Sequence, residues 1–353
     1  MKFEERKELK QKPDMDNLGF GRYFTDYMIL ADYDEGQGWH DARLVPYGPF
    51  DIQPGAMVYH YGQSTFEGLK AYYIDEHTVH LFRPEMNFER MNNSNRRLCI
   101  PEIDGEKVIE LISEAIKVEK DWIPKEEGKS LYIRPFILAV DEDLGVHASK
   151  KYIFCCIFSP VAAYYATGIN PVKIYVEDKF KRAVKGGTGF AKTAANYAQS
   201  LKSQEEAEEA GYAQVLWLDA IEGKYVEEVG SMNIMFVIDG VVVTPELTGS
   251  ILPGVTRASA IELLKDKGYK VEERRITIDE IEQAIKDGKL DEVFGTGTAA
   301  VISPVGEFKI GDNIYTINEG KIGKVAQDIY DTITKTQYGK IEDKYGWIRK
   351  IEL

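Results

Sequence analysis

The chain has 353 residues, 44% hydrophobic and 29% charged, enough to bury a large core and more than one domain of ordinary size. Its 58 acidic against 44 basic side chains leave a formal net charge of −14, which repels phosphate backbones and anionic lipid, and no basic patch is present to offset that repulsion. Residues 1–16 are too charged for the apolar core of a signal peptide and no run approaches a membrane span, so a cytoplasmic location is expected.

Along the chain, Val108 to Trp122 places Val108, Ile109, Leu111, Ile112, Ala115 and Ile116 on one helical stripe. Strands are predicted over Leu131 to Leu138 and Tyr152 to Phe158, each rich in β-branched or aromatic residues. Cys155 and Cys156 are neighbours in the second of these and should point to opposite faces, which makes them poor disulfide partners. Cys99 stands alone, and no Cys/His cluster has the spacing of a metal site, so no structural zinc is expected. The turn-forming stretch 166–171 separates strand-like segments and is predicted to link a domain over 1–165 to one over 172–353. Further strands follow at Val172 to Val176 and Gln214 to Leu218, with a helix from Thr193 to Ala210 between them. Asp239-Gly240 between Ile234 to Ile238 and Val241 to Thr244 predicts a hairpin with a type I′ turn. A helix beginning near Thr256 buries Ala258, Ala260, Ile261 and Leu264 and ends at Gly268. Strands and helices mix without repeats or regular βαβ alternation, which predicts an α+β fold of two domains rather than a doubly wound sheet.

Gly186-Gly187-Thr188-Gly189-Phe190-Ala191-Lys192-Thr193 nearly spells a phosphate-binding P-loop. That loop needs glycine where Ala191 stands and should leave a buried strand directly, whereas a charged stretch, residues 179–185, intervenes. Glycines also let a backbone pass close to a planar cofactor, with Lys192 delivered from the start of a helix as a Schiff-base amine. Taken alone, the loop fits a solvated lysine at a helix start at least as well.

Several segments in fixed order change that balance: Phe20-Gly21 with Phe24-Thr25-Asp26, Tyr61 ahead of Phe66-Glu67-Gly68-Leu69-Lys70-Ala71, Arg90-Met91, and Tyr132-Ile133-Arg134-Pro135. They continue with Asn196-Tyr197 after the lysine, Glu228-Val229-Gly230-Ser231-Met232-Asn233, Leu252-Pro253-Gly254-Val255-Thr256-Arg257 and Gly295-Thr296-Gly297-Thr298-Ala299. Almost end to end, the chain resembles the branched-chain amino acid aminotransferases, class IV pyridoxal-phosphate enzymes of fold type IV. The resemblance implies a smaller N-terminal domain with a mixed sheet, a larger C-terminal domain with a barrel-like sheet, and pyridoxal 5'-phosphate at the domain interface. It implies that Lys192 holds the cofactor as a Schiff base, that Glu228 pairs with the pyridine nitrogen and that Tyr197 bonds the phenolic oxygen. Arg90, Val255, Thr256 and Thr298 are implied to hold the phosphate, and Ser231, where some relatives have Thr, keeps the hydroxyl. The start of the Thr256 helix supports an anion independently, because unpaired N–H groups and the positive dipole end gather there.

Strand alternation places Tyr132, Arg134 and Phe136 on one face, which reads as a site wall. By resemblance Phe20, Phe66, Tyr132 and Tyr164 line an apolar substrate pocket, Tyr61 with the Thr298-Ala299 backbone holds the substrate carboxylate, and Arg134 is the candidate for a second carboxylate. Leu144 and Val146 match a loop that enters the partner subunit's site, which implies a homodimer. The implied reaction is reversible ping-pong amino transfer between Leu, Ile or Val and 2-oxoglutarate. Some members carry a Cys-x-x-Cys after the glycine-threonine turn; this chain has Ala300-Val301-Ile302-Ser303, so thiol regulation there is excluded. D-amino acid aminotransferases and aminodeoxychorismate lyases share the lysine and glutamate but lack most first-half landmarks, and a catalytically silent binding protein on the same fold is the remaining alternative.

Overall fold

The computed structural model describes residues 1–49, 51–162 and 169–353. The chain divides into two compact units, one formed by Met1–Ala166, Ala191–Ala194 and Lys335–Leu353, the other by Thr167–Phe190 and Ala195–Thr334. This division departs from the expected one in two places. Lys192 and the C-terminal tail belong to the first unit, and the first unit consequently takes the larger share of the chain. Hydrogen bonding gives the reason for the tail, because Ile348–Glu352 pairs antiparallel with Thr78–Phe82 and becomes the outer strand of the first sheet. Of the expected linker, only residues 169–171 lie within the described part.

In the first unit a nine-stranded mixed sheet runs in the order Lys2–Phe3, Gly38–Pro46, Tyr27–Asp34, Lys151–Val161, Ser130–Ala139, Leu69–Asp75, Thr78–Phe82 and Ile348–Glu352, with Ser64–Phe66 also paired to Ser130–Ala139. Ile29, Ile112, Ile133 and Phe158 are sealed in its main core, where each such side chain contributes about 1.5–3 kcal/mol. Cys156 joins this core while Cys155 joins a separate cluster with Met28, Leu30 and Val45, as alternation along a strand demands. The amphipathic helix begins earlier than its apolar stripe, at Gly105, because the Asp104 carboxylate accepts from the Lys107 N–H at 3.2 Å and caps it. It ends at Val118, and the turn Lys120–Trp122 follows.

The second unit carries another nine-stranded mixed sheet, in the order Val226–Val229, Gln214–Leu218, Val172–Glu177, Val301–Ile310, Leu290–Gly297, Asn233–Ile238, Val241–Thr244 and Val271–Glu273, with Asn313–Thr316 paired to Val301–Ile310. Asp239 and Gly240 have φ of 50° and 76°, the two positive angles a type I′ turn requires. The helix expected over 193–210 is broken into Ala194–Ala198 and Leu201–Glu209. At the break the Ser200 backbone N–H and hydroxyl both donate to the Tyr197 carbonyl, at 3.1 and 2.8 Å, a local pairing that competes with continued helix. No helix among the described residues is long and apolar enough to cross a membrane.

Glu119, at the end of the helix Gly105–Val118, accepts the Tyr27 N–H at 2.5 Å and is almost wholly buried. Burial, helped by the neighbouring Asp26 charge and opposed by bonds from Tyr27 and Thr25, raises its carboxyl to about 7. The folded protein therefore keeps on Glu119 a proton that the unfolded chain releases near pH 4.5, so the stability contributed by this group is greatest below that pH and is lost as pH rises to about 7. Glu119→Gln should remove this group's share of the pH dependence, on the order of 3 kcal/mol between about pH 4 and 8, in denaturant unfolding compared with the parent protein.

Candidate active site

Lys192 is held in place by backbone contacts that its own sequence neighbours do not reveal. Its carbonyl accepts from the Phe66 N–H at 3.0 Å, Thr193 bridges to Thr65, and the Thr193 hydroxyl donates to the Ser64 carbonyl at 2.8 Å. Its own N–H donates to Ser94 Oγ at 2.8 Å, and that hydroxyl donates to the Arg90 carbonyl one helical turn earlier. With both termini of the residue tied, the ammonium lies 4.8 Å from the centre of the Phe66 ring.

Around that ring the first unit gathers most of its expected pocket. The Arg134 guanidinium lies 5.0 Å from the Phe66 ring and 5.2 Å from the Tyr132 ring, donating to the Tyr132 hydroxyl at 3.1 Å. Phe20 meets Tyr132 edge to face at 5.0 Å. Gly68 is needed here because a Cβ on it would come within 2.0 Å of the Tyr132 hydroxyl oxygen. Arg134 Nε is buried without a hydrogen-bond partner among the described residues, which leaves a donor for an incoming anion. Phe136, expected on the same wall, packs against the cluster of Met28, Leu30, Val45 and Cys155. Tyr61 is exposed, and its hydroxyl donates to the Leu144 carbonyl of the loop that also exposes Val146. Tyr164 lies outside the described residues.

Behind Phe66 sits a buried ion pair absent from the expected set. Glu67, with no solvent exposure, receives Arg90 Nε at 2.7 Å and Nη2 at 2.8 Å, and Asn87 Nδ2 at 2.9 Å. Burial pushes the Glu67 carboxyl up, but Arg90, Lys192 and Asn87 together outweigh it and hold the carboxyl below its ordinary range. Two donors of Arg90 are therefore committed to Glu67, beside any contact to a phosphate.

The second unit holds the other half of the expected residues. Glu228 lies buried on the strand Val226–Val229, its Oε1 accepting from the Leu252 N–H at 2.8 Å and facing Asn233 Nδ2 at 3.4 Å. Val255 and Thr256 open the helix Val255–Asp266, whose first N–H groups have no intrahelical acceptor and whose cap, Gly254, has no side chain to take them. A side chain is forbidden there, since a Cβ would lie 2.0 Å from Asn233 Oδ1. Gly295 and Gly297 pack on Met232, which sets Thr298 and Ala299, both half-buried, in the following turn. Ser231 is exposed in its own turn and Tyr197 is half-buried on Ala194–Ala198.

A model of the amino-transferase class IV family matches residues 64–308. The chain belongs to this family. It is 59% identical over 342 residues to "branched-chain-amino-acid aminotransferase 2" of Bacillus subtilis, spanning 97% of this chain and 94% of that one. It is 46% identical to the branched-chain-amino-acid aminotransferase of Mycolicibacterium smegmatis, over 95% and 92% of the two chains. Among solved structures, the Escherichia coli branched-chain amino acid aminotransferase superposes with a TM-score of 0.77 at 28% identity, covering 92% of this chain and 98% of that one. The branched-chain aminotransferase of the thermophilic archaeon Thermoproteus uzoniensis, solved with norvaline, also gives 0.77, at 26% identity over 92% and 99% of the two chains. The fold is accordingly fold type IV, mixed α/β with a curled half-barrel sheet, and class IV aminotransferases are pyridoxal-phosphate-dependent transaminases.

The residues fit such a cofactor. An aldehyde needs an amine, a phosphate needs exposed N–H groups, and a pyridine nitrogen needs a carboxylate; the first unit offers the Lys192 amine for the first, and the second unit the uncapped start at Val255–Thr256 and the buried Glu228 for the others. Thr296 Oγ1, buried without a partner among the described residues, is a further donor for an anion. Sequence reasoning missed Glu67, Ser94 and Asn233. Glu67, between the strands Ser64–Phe66 and Leu69–Asp75, stands beside Phe66 and close to Leu69, and that juxtaposition was the one available signal, since a buried carboxylate must be paired.

Arg90→Ala should lower unfolding stability by about 3–5 kcal/mol in guanidinium titration, because it strands the buried Glu67 charge. The companion variant Arg90→Ala with Glu67→Gln should recover a large part of that loss; equal stability of the single and double variants would contradict the pairing.

Proposed function

We propose that the chain catalyses reversible amino transfer between leucine, isoleucine or valine and 2-oxoglutarate, with Lys192 as the residue to which pyridoxal phosphate attaches. The observation that carries the reading is the placement of the Lys192 amine over Phe66, in a wall made with Phe20, Tyr132 and Arg134. Such a wall accepts an aliphatic side chain, while Arg134 with its unpartnered Nε answers the second carboxylate of glutamate or 2-oxoglutarate. That accounts for one pocket serving both substrates in turn.

When bound, the cofactor supplies an electron-withdrawing ring that stabilises negative charge developing at the substrate α-carbon. With the cofactor bound, the Lys192 amine would be the group that takes the proton from the substrate α-carbon and returns it on the cofactor side, as general base and then acid. Glu228 would hold the proton on the pyridine nitrogen; Arg90, the Val255 and Thr256 N–H groups and Thr298 would bind the phosphate; Tyr197 would bond the phenolic oxygen, with Ser231 a further hydroxyl of the cofactor set. Tyr61 with the Thr298-Ala299 backbone orients the substrate carboxylate. A homodimer is supported by Leu144 and Val146, apolar yet 67% and 83% exposed on one loop.

The purified protein should absorb as a pyridoxal-phosphate enzyme, and borohydride reduction with peptide mapping should fix the cofactor on Lys192. Lys192→Ala should abolish leucine-dependent glutamate formation, a loss of at least about 10⁴-fold. A label on another lysine, or an intact enzyme that uses none of the three amino acids, would refute the assignment. Replacing Leu144 and Val146 by Asp should weaken the dimer in sedimentation velocity without lowering the stability of the protomer.

A further inference from the structure

The glycine-rich segment ahead of Lys192 builds a support for Glu228. Arg182 precedes that segment, is nearly sealed from solvent, and brings Nε to 3.0 Å from Glu228 Oε2. This is a charge contact rather than an aligned hydrogen bond, and the guanidinium is anchored at its other end, where Nη2 donates to the Ser250 carbonyl. Gly189 lies against that same carbonyl: a Cβ there would fall 2.1 Å from the Ser250 oxygen and 2.6 Å from Ala183 Cβ. Only glycine lets the loop pass over the carbonyl that seats the guanidinium.

Glu227, next in the chain to Glu228, competes for the same cation. Strand alternation turns it to the other face, where it accepts from the Ser250 hydroxyl. Burial raises its carboxyl, and the Glu228 and Asp219 charges add to this against the pull of Ser250 and Arg182. Glu227 therefore keeps a proton more readily than an ordinary glutamate, and the Arg182 charge is left to Glu228.

A carboxylate taken out of water protonates unless a cation compensates it, and a neutral acid cannot hold a proton on a pyridine nitrogen. We propose that Arg182 is a positioning residue for the transamination, keeping Glu228 ionised and aimed through an ion pair seated on the Ser250 carbonyl. The inference rests on the role of Glu228 proposed above.

The test uses the holoenzyme with Arg182→Met, Arg182→Lys, Glu228→Gln and the Arg182→Met/Glu228→Gln double variant, following leucine kinetics and the pH titration of the bound cofactor's absorbance. Arg182→Met should lower kcat roughly 10- to 100-fold, as when an outer partner of an active-site group is removed, shift the absorbance titration, and change KM for leucine little. Arg182→Lys, keeping the charge but not the planar fork, should show a smaller shift in the same direction. Added to Glu228→Gln, the methionine should cost less than about 2-fold more. A loss of similar size in both backgrounds, or an unmoved titration, overturns the proposal and leaves the Glu228 role intact. Unchanged kinetics and spectrum in Glu228→Gln would instead remove the Glu228 role, and the proposal with it. Should Arg182→Met fail to fold, Arg182→Lys carries the test: its shift must vanish in the Glu228→Gln background, and no shift, or one that persists, overturns the proposal.

Discussion

A carboxylate moved from water into a protein interior costs several kcal/mol unless a cation and further donors replace its hydration, and Glu67 is wholly inside. Arg90 meets it with two parallel bonds and Asn87 adds a third, both from the helix Pro84–Arg97. The pair thus fixes that helix against the chain at Glu67. One turn beyond Arg90 on the same helix, Ser94 accepts the Lys192 N–H. The position of the lysine backbone follows from where a buried charge had to be neutralised.

Residues 66 and 67 divide the labour by pointing apart. Phe66 offers its ring to the Lys192 ammonium and the Arg134 guanidinium, while Glu67 turns into the interior toward Arg90. An aromatic face holds cations by its quadrupole without fixing their protons, which suits an amine that has to react. The carboxylate beneath adds long-range attraction without a direct claim on the amine, since its own bonds are spent on Arg90 and Asn87.

In the second unit one side chain touches both the Glu228 carboxylate and the start of the helix Val255–Asp266. Asn233 donates to the Leu252 carbonyl at 2.9 Å, faces Glu228 at 3.4 Å, and fills the space above Gly254 that a capping side chain would need. The first N–H groups of that helix are left without a side-chain cap because Asn233 keeps position 254 a glycine. Val301, directly after the Thr298–Ala300 turn, holds φ at +61°, an angle a β-branched residue rarely adopts and which pairing of Val301–Ile310 with its neighbours enforces.

Local physics was legible in the sequence. The period of two separated Cys155 from Cys156 and put Tyr132 and Arg134 on one wall, and Asp239-Gly240 specified its turn, because alternation and φ preference act within a few residues. The order of motifs singled out Lys192 and Glu228 as candidates for the chemistry. Tertiary structure alone decided what holds them. Ser94 lies 98 positions from Lys192, Leu252 lies 24 from Glu228, and the tail strand Ile348–Glu352 pairs with Thr78–Phe82. Periodicity records which face of a segment is buried; it carries no information on which distant segment covers that face, so Lys192's lock and the partners of Glu67 and Glu228 appear only once the chain is folded.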